Sequence, residues 1–198
     1  MRSGRRAPPG RLRGEIRRDQ LVALGETLFS QMPYDEVSIE EIAKRAGISK
    51  GLLYHYFRDK RGFYLAVVEH AAQRLLRAIS VDASSSLRER AEQGLRNYLD
   101  FAEAHSVAFV GLLRGGIGAD PQVLAIVERT RERIAEQILS HLDGKVSPRL
   151  RLLVRSFIAF VEASTIEWIQ GRPISKDEVI ALWLDTLFFL LNHPSKMG

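Results

Sequence analysis

A chain of 198 residues with 45% apolar and 27% charged residues has the size and composition to fold around its own core, without relying on disulfides or metal. It has no cysteine, which excludes thiolate zinc sites, disulfide frameworks and cysteine nucleophiles and makes a reducing compartment, the cytoplasm, the expected location. The net charge of +5 is uneven: residues 1–60 hold twelve Lys or Arg against eight Asp or Glu, residues 61–198 seventeen against sixteen, so a basic module precedes a nearly neutral body.

Such a distribution suits one end approaching a polyanion, although a solvated basic tail would give the same count. The N-terminus lacks the apolar stretch of a signal peptide, and the longest apolar run, Leu182 to Leu191, is broken by Asp185 and falls short of the roughly 20 residues that span a bilayer. No membrane partner is expected.

Residues 1–14 combine five arginines with Gly4, Gly10, Gly14, Pro8 and Pro9 and read as a disordered basic arm. From Glu15 onward the pattern is helical throughout, with no credible alternating strand, so the fold class is all-α. Leu21, Leu24, Leu28 and Phe29 mark a first amphipathic helix ending before Pro33. Ser38-Ile39-Glu40-Glu41 has the form of a capping box, with Val37 and Ile42 as its hydrophobic staple, and opens a second helix that runs to Ala46 before Gly47. Ser49 caps a third helix after a turn of about three residues, with Ile48 and Leu53 as staple; that separation directs the third helix steeply away from the second.

Asp59 caps a long fourth helix, and Ser80 to Ser85 break the pattern. Ser86-Leu87-Arg88-Glu89 boxes a fifth helix to about Ala104. Ser106 to Leu113 gives a short sixth, which Gly115, Gly116 and Gly118 are expected to end. Asp120-Pro121 and Ser147-Pro148 place a cap before a first-turn proline, so helices run from about 121 to 142 and from 148 to 170, and Ser175 to Glu178 boxes a ninth to about Asn192. The chain divides into an arm (1–14), a helix-turn-helix module (15–60) and a larger helical bundle (61–198).

Ala43, Gly47 and Leu53 stand where a helix-turn-helix needs a small residue at the crossing, a glycine in the turn and an aliphatic residue beneath the second helix. Lys50, Gly51, Tyr54, His55 and Tyr56 share the short third helix, with Arg58 and Lys60 just beyond; lysines and aromatic hydroxyls serve phosphates, and a first-turn glycine lets a helix N-terminus come close. Phe57 reads as core.

The run from Ser38 to Ala43, then Ala46 to Phe57 and Asp59-Lys60, resembles the N-terminal domain of TetR-type transcriptional regulators over roughly residues 15–65. The resemblance implies a third helix in the major groove of double-stranded operator DNA, with Lys50, Gly51 and Leu52 facing bases or backbone. It places Ser38, Tyr54, Tyr56 and Lys60 near phosphates, counts Ser49 among the DNA-binding residues and leaves His55 as the position whose role varies most. Pro33 departs from the family, which commonly has glycine at the end of the first helix.

The resemblance also implies a homodimer and a C-terminal pocket for a small effector. Helices eight and nine are apolar on more than one face, and Phe157, Val161, Trp168, Trp183, Leu184, Leu187 and Phe188 are the candidate dimer residues; a deeply central pair of helices would read the same way. Tyr98, Phe101, His105, Phe109 and Glu162 mix rings with polar tips and are candidate lining for a mainly apolar ligand, although a lone His105 or Tyr98 is also an ordinary satisfied core group.

Enzyme signatures are missing: the histidines at 55, 70, 105, 141 and 193 show no metal-ligand spacing, and Gly111 to Gly118 lacks the Lys-Ser/Thr end of a phosphate loop. No catalytic residue, metal or cofactor is therefore expected, and a non-catalytic helical adaptor or an activator with a partner-binding C-terminal domain is the competing reading.

Overall fold

The computed structural model describes residues 9–81, 85–114, 120–142 and 146–192, and among these the regular structure is entirely helical. The elements are α1 (Pro9–Gln31), α2 (Ile39–Ala46), α3 (Lys50–Phe57), α4 (Lys60–Ala78), α5 (Leu87–Ala104), α6 (Ser106–Arg114), α7 (Pro121–Ser140), α8 (Pro148–Gly171) and α9 (Lys176–Asn192). A 3-10 turn, Tyr34–Glu36, joins α1 to α2.

Most helix starts are set by local chemistry. The hydroxyls of Ser38, Ser49, Ser86 and Ser147 and the carboxylates of Asp59 and Asp120 accept first-turn amides. The full reciprocal box forms at Ser86/Glu89, and both halves are also made between Ser175 and Glu178. At α2 only half of the expected box exists. Ser38 Oγ accepts from the Glu41 amide at 3.1 Å, but the Glu41 carboxylate turns forward to Arg45 at 2.6 Å, an i, i+4 ion pair that competes for the same group. Gly47 ends α2 at φ +63, in the left-handed region that favours glycine.

The first helix begins at Pro9, so residues 9–14 continue α1, although the sequence places them in the arm; residues 1–8 lie outside the described residues, as do the helix-ending glycines 115, 116 and 118. Pro33 opens the 3-10 turn, and this brings Tyr34 edge-on to Tyr64 at 4.8 Å and alongside Phe29.

Two cores hold the chain together. The first joins α1, α2 and α3 to the first half of α4 through Leu21, Leu28, Ile42, Leu53, Phe57 and Phe63, and it also takes in Val123 and Ile126 of α7. The second lies among α5, α7, α8 and α9 and the end of α4, around Leu99, Val154, Phe157, Trp183 and Leu187. The long helix α4 contributes to both, Phe63 to Val68 to the first and Leu75 and Leu76 to the second, so it is common to the two halves. Its crossing with α1 is close because residue 25 is glycine: a Cβ there would lie 2.5 Å from Phe63 and Val67 side-chain atoms. Gly62 is required in the same way by the α3–α4 turn, where a Cβ would meet the Phe57 carbonyl oxygen at 2.4 Å.

Candidate nucleic-acid interface and sensing cavity

Helix α3 is anchored by its buried face and presents the opposite one. Leu53 and Phe57 are buried, and Arg18 lies over the Phe57 ring at 5.2 Å, so Phe57 is core as its spacing suggests. Gly51, Leu52, Tyr54 and His55 are exposed, Tyr54 to 46%, while Tyr56 is half-buried between the His55 and Phe57 rings. The α2–α3 geometry is fixed from behind: the Arg17 guanidinium donates to the Ala46 carbonyl at 3.0 Å, satisfying a helix C-terminal acceptor.

Two of the expected cations have protein partners. Lys50 is ion-paired with Glu40 of α2, and both side chains remain exposed. Lys60 sits 4.2 Å over the Tyr34 ring with its ammonium 3.5 Å from the Asp35 carbonyl, so the 3-10 turn that the sequence did not reveal orients it. Next to it Arg61 makes a two-pronged pair with Asp120 at 2.5 and 2.8 Å, tying the start of α4 to the start of α7; the Arg61 hydrogen bonds are the main cause holding the Asp120 pKa at about 2.

Behind this head, the five candidate ligand residues Tyr98, Phe101, His105, Phe109 and Glu162 all line one cavity, whose empty volume including its open mouth is about 870 Å³. Its walls come from α1 and from α4 to α8, with Glu26 of α1 and Val67 and Val68 of α4, the two valines also members of the first core, among them. Tyr98 is buried and meets Phe109 and Trp183 edge-on, at 6.0 and 6.5 Å, and His105 stacks on Phe101 at 4.3 Å.

The charged groups around the cavity are already paired. Glu162 takes a two-pronged bond from Arg131, with Nε 3.0 Å from Oε1 and Nη2 2.7 Å from Oε2. Glu26, a buried carboxylate on the inner face of α1, lies 2.7 Å from Arg74, 3.1 Å from His70 Nδ1 and 3.3 Å from His105 Nε2. His105 Nδ1 is 2.8 Å from the Phe101 carbonyl. Facing a carboxylate on one side and a carbonyl on the other, the imidazole needs a proton on both nitrogens. The hydrogen bond to Glu26 accordingly lifts the His105 pKa above 6.5 against the opposing effect of burial. Burial alone would raise Glu26, but hydrogen bonds from His105 and Arg74 and their charges outweigh it and hold the pKa at about 2. Sequence reading missed Glu26; the signal was a carboxylate four residues after Val22 and three before Phe29, both buried on the same stripe.

The dimer candidates sort differently. Phe157, Val161, Trp168, Trp183, Leu184 and Leu187 are all buried within this chain, and Trp183 Nε1 donates to Ser164 Oγ at 2.8 Å. They form the inner face of α8 and α9, and Phe188 alone of the seven is partly exposed. The outward apolar residues of these helices are Leu152, Phe160, Leu182 and Phe189, at 68, 37, 49 and 60% exposure. A two-sided apolar pattern marks both faces without telling which packs at home. Among the described residues no three His, Asp or Glu are grouped to hold a metal ion, and no helix is long and apolar enough to cross a membrane.

Residues 21–67 match the profile of bacterial regulatory proteins of the tetR family, and residues 87–191 match a tetracyclin repressor-like C-terminal domain. The HTH-type transcriptional activator FasR of Mycolicibacterium smegmatis is 28% identical over 191 residues, covering 90% of this chain and 87% of its own. The crystal structure of a tetR-family transcriptional regulator from Streptomyces coelicolor superposes with a TM-score of 0.84 at 37% identity, over 90% of this chain and 81% of that one. The FadR regulator of Bacillus subtilis, solved in complex with stearoyl-CoA, shares the fold at a TM-score of 0.65 and 12% identity, over 89% of this chain and 98% of its own. With a DNA-reading module at one end and a repressor-like C-terminal domain at the other, the chain belongs to the TetR family of DNA-binding transcriptional regulators.

Proposed function

We propose that this regulator works in the cytoplasm as a homodimer on a roughly palindromic operator and lets go when a small, mainly apolar effector occupies the cavity around Tyr98 and Phe109. It carries out no catalysis. Lys50, Gly51 and Leu52 meet bases or backbone in the major groove, Ser38, Tyr54, Tyr56 and Lys60 meet phosphates, with Ser49 and His55 beside them, and twofold symmetry sets the reading helices about 34–36 Å apart. The outer stripes of α8 and α9, with Leu182 and Phe189, form the dimer face.

The observation that carries the coupling is that α1 and α4 build both the reading module's core and the cavity wall. A ligand that parts α4 from α7 must therefore tilt the helices that hold α3. Because Glu26 and Glu162 are already satisfied, the cavity offers mostly rings and aliphatic surface, which suits an apolar compound. The stearoyl chain of the stearoyl-CoA bound by FadR is apolar surface of that kind.

Repression relieved by the effector is the primary reading. Activation is the second, favoured by the activator FasR as a relative along most of the chain. The test is a titration of apolar compounds and of compounds with an apolar chain, stearoyl-CoA among the latter, scored for DNA release and for thermal stability together. A compound that releases DNA should also raise the melting temperature, since it binds the folded state. Release without stabilisation in every case would remove the sensing claim.

A further inference from the structure

The buried stripe of α1 begins at Leu21, and none of residues 14–20 is buried. Yet the helix starts at Pro9, twelve residues or roughly 18 Å before that stripe. Ile16 is exposed to 51%, and a Cβ at residue 14 would meet nothing within 4 Å, so residues 14–20 run along the outside of the core. Helices in a folded protein are held mainly by packing of an apolar face, which these residues do not supply. Two contacts fix their course instead. Arg17 donates to the Ala46 carbonyl at the end of α2, and Arg18 lies over the Phe57 ring at the end of α3.

These contacts root the beginning of the chain beside the two helices of the reading module. Residues 1–14 hold Arg2, Arg5, Arg6, Arg11 and Arg13 and no acidic residue, a charge equal to the net +5 of the whole chain. Residues 11 and 13 stand on α1 itself, seven before Arg18 and four before Arg17, so helix register continues the two anchored faces through them. Eight residues, the number before α1, reach at most about 28 Å when extended. Adjacent major and minor grooves lie about 17 Å apart along a duplex, half of its turn. The segment is therefore long enough to pass from a module docked in one groove to the next. A narrow minor groove concentrates negative potential and attracts arginine in particular.

We propose that this arginine-rich segment is a second DNA-contact element: Arg2, Arg5 and Arg6 enter the minor groove that flanks each half-site, while Arg11 and Arg13 stand over the intervening phosphates. The minor groove separates A·T from G·C pairs through the guanine 2-amino group and through its width. The segment thus adds a preference for A·T flanks outside the bases met by α3. The proposal rests on α3 reading the major groove, and core and flank preference are measured separately so that either can fail alone.

The probes are duplexes whose core the full-length protein has selected from a random library, flanked on both sides by short runs of A·T, inosine·C or G·C pairs. An inosine·C pair shows the major-groove edge of G·C but lacks the 2-amino group in the minor groove. Wild type should bind A·T and inosine·C flanks alike and G·C flanks about tenfold more weakly. With Arg2→Gln, Arg5→Gln and Arg6→Gln together, all three flanks should bind equally. The salt slope should flatten by up to about three counterions per half-site, at an unchanged melting temperature. Core preference should stay as in wild type, whereas Leu52→Ala should alter core preference and keep the flank preference. Inosine·C flanks bound like G·C, or a flank preference that survives in the triple variant, would overturn the proposal. A flattened salt slope without any flank preference would do so too, making the segment a solvated basic tail. A library that yields no common core removes the reading by α3 and the proposal with it, while a recognised core with indifferent flanks removes the proposal alone.

Discussion

The reading module and the C-terminal bundle are built from the same kind of helix, yet they are specified at different ranges. In the module, the turns and helix starts are set between near neighbours, Ser49 with the Leu52 amide, Asp59 with Gly62, Gly47 at its left-handed turn, with the Arg17 bond to Ala46 as a longer-range addition. In the bundle, helix starts are capped locally as well, at Ser86 and Ser175, but the charged pairs around its cavity and at α9 join residues far apart, such as Arg131 with Glu162 or Lys176 with Asp100 and Glu103. Local chemistry can be read off a sequence, whereas a long-range partner cannot, so function is explicit in the module and cryptic in the bundle.

The largest effects should separate the two faces of α9. Leu184 is buried and Leu182 is half exposed, two residues away. Leu184→Asp places a charge in the core and should cost more than about 4 kcal/mol, enough to unfold a marginal domain. Leu182→Asp should leave the unfolding midpoint of the monomer nearly unchanged while dissociating the dimer in sedimentation and weakening operator binding, since two half-sites are no longer held together. A folded Leu182→Asp that remains dimeric would place the interface elsewhere.

The next effect is at the seam between the regions. Glu26→Gln removes a buried charge that pairs with Arg74, His70 and His105; with Arg74 about half exposed, the loss should be about 1–3 kcal/mol in urea denaturation. The Glu26 pKa is held at about 2 against 4.5, so its contribution is complete above pH 4.5 and disappears as pH falls toward 2. The His105 pKa is raised above 6.5, so its contribution is complete below 6.5 and fades as pH rises through the elevated value. The difference between wild type and Glu26→Gln should therefore be greatest between about pH 4.5 and 6.5. A difference independent of pH from 2 to 8 would mean that the cluster acts through packing alone.

How much of this was legible follows the same division. Helix order and nearly all boundaries could be read because caps are local. The start of α1 could not, since Pro9, Gly10 and the arginines are coil-like in composition but are followed by a strongly helical segment that extends back through them. The Glu41 carboxylate was misassigned because two local partners compete for it, and the ion pair with Arg45 prevails. Apolar residues on α8 and α9 were recognised, but Leu184 and Leu182 carry the same hydropathy, and only packing against α5 tells inner from outer. The rings that line the cavity behind α1 and α4 could be picked out as residue types, while Glu26 was missed because its meaning lies in partners on other helices.

A smaller effect tests the module's electrostatics. Glu40 pairs with Lys50 at the exposed face of α3, so Glu40→Gln frees the lysine and removes a negative charge that, on the proposed docking, would face DNA. DNA affinity should rise a few-fold and its salt dependence should steepen slightly, by at most about one counterion per half-site. Unchanged affinity and slope would show that Lys50 has no role in DNA contact.

The measurement that bears most directly on α3 as the reading element is a salt series of binding to specific and scrambled duplexes for wild type, Leu52→Ala, Tyr54→Ala and Lys60→Ala. Lys60→Ala should weaken binding to every sequence and flatten the salt slope by about one counterion per half-site. Leu52→Ala should alter sequence preference with the slope nearly intact, and Tyr54→Ala, at an exposed position, should weaken binding about tenfold while changing stability by no more than about 0.5 kcal/mol. If all three variants bind both duplexes as the wild type does at every salt concentration, α3 does not read DNA.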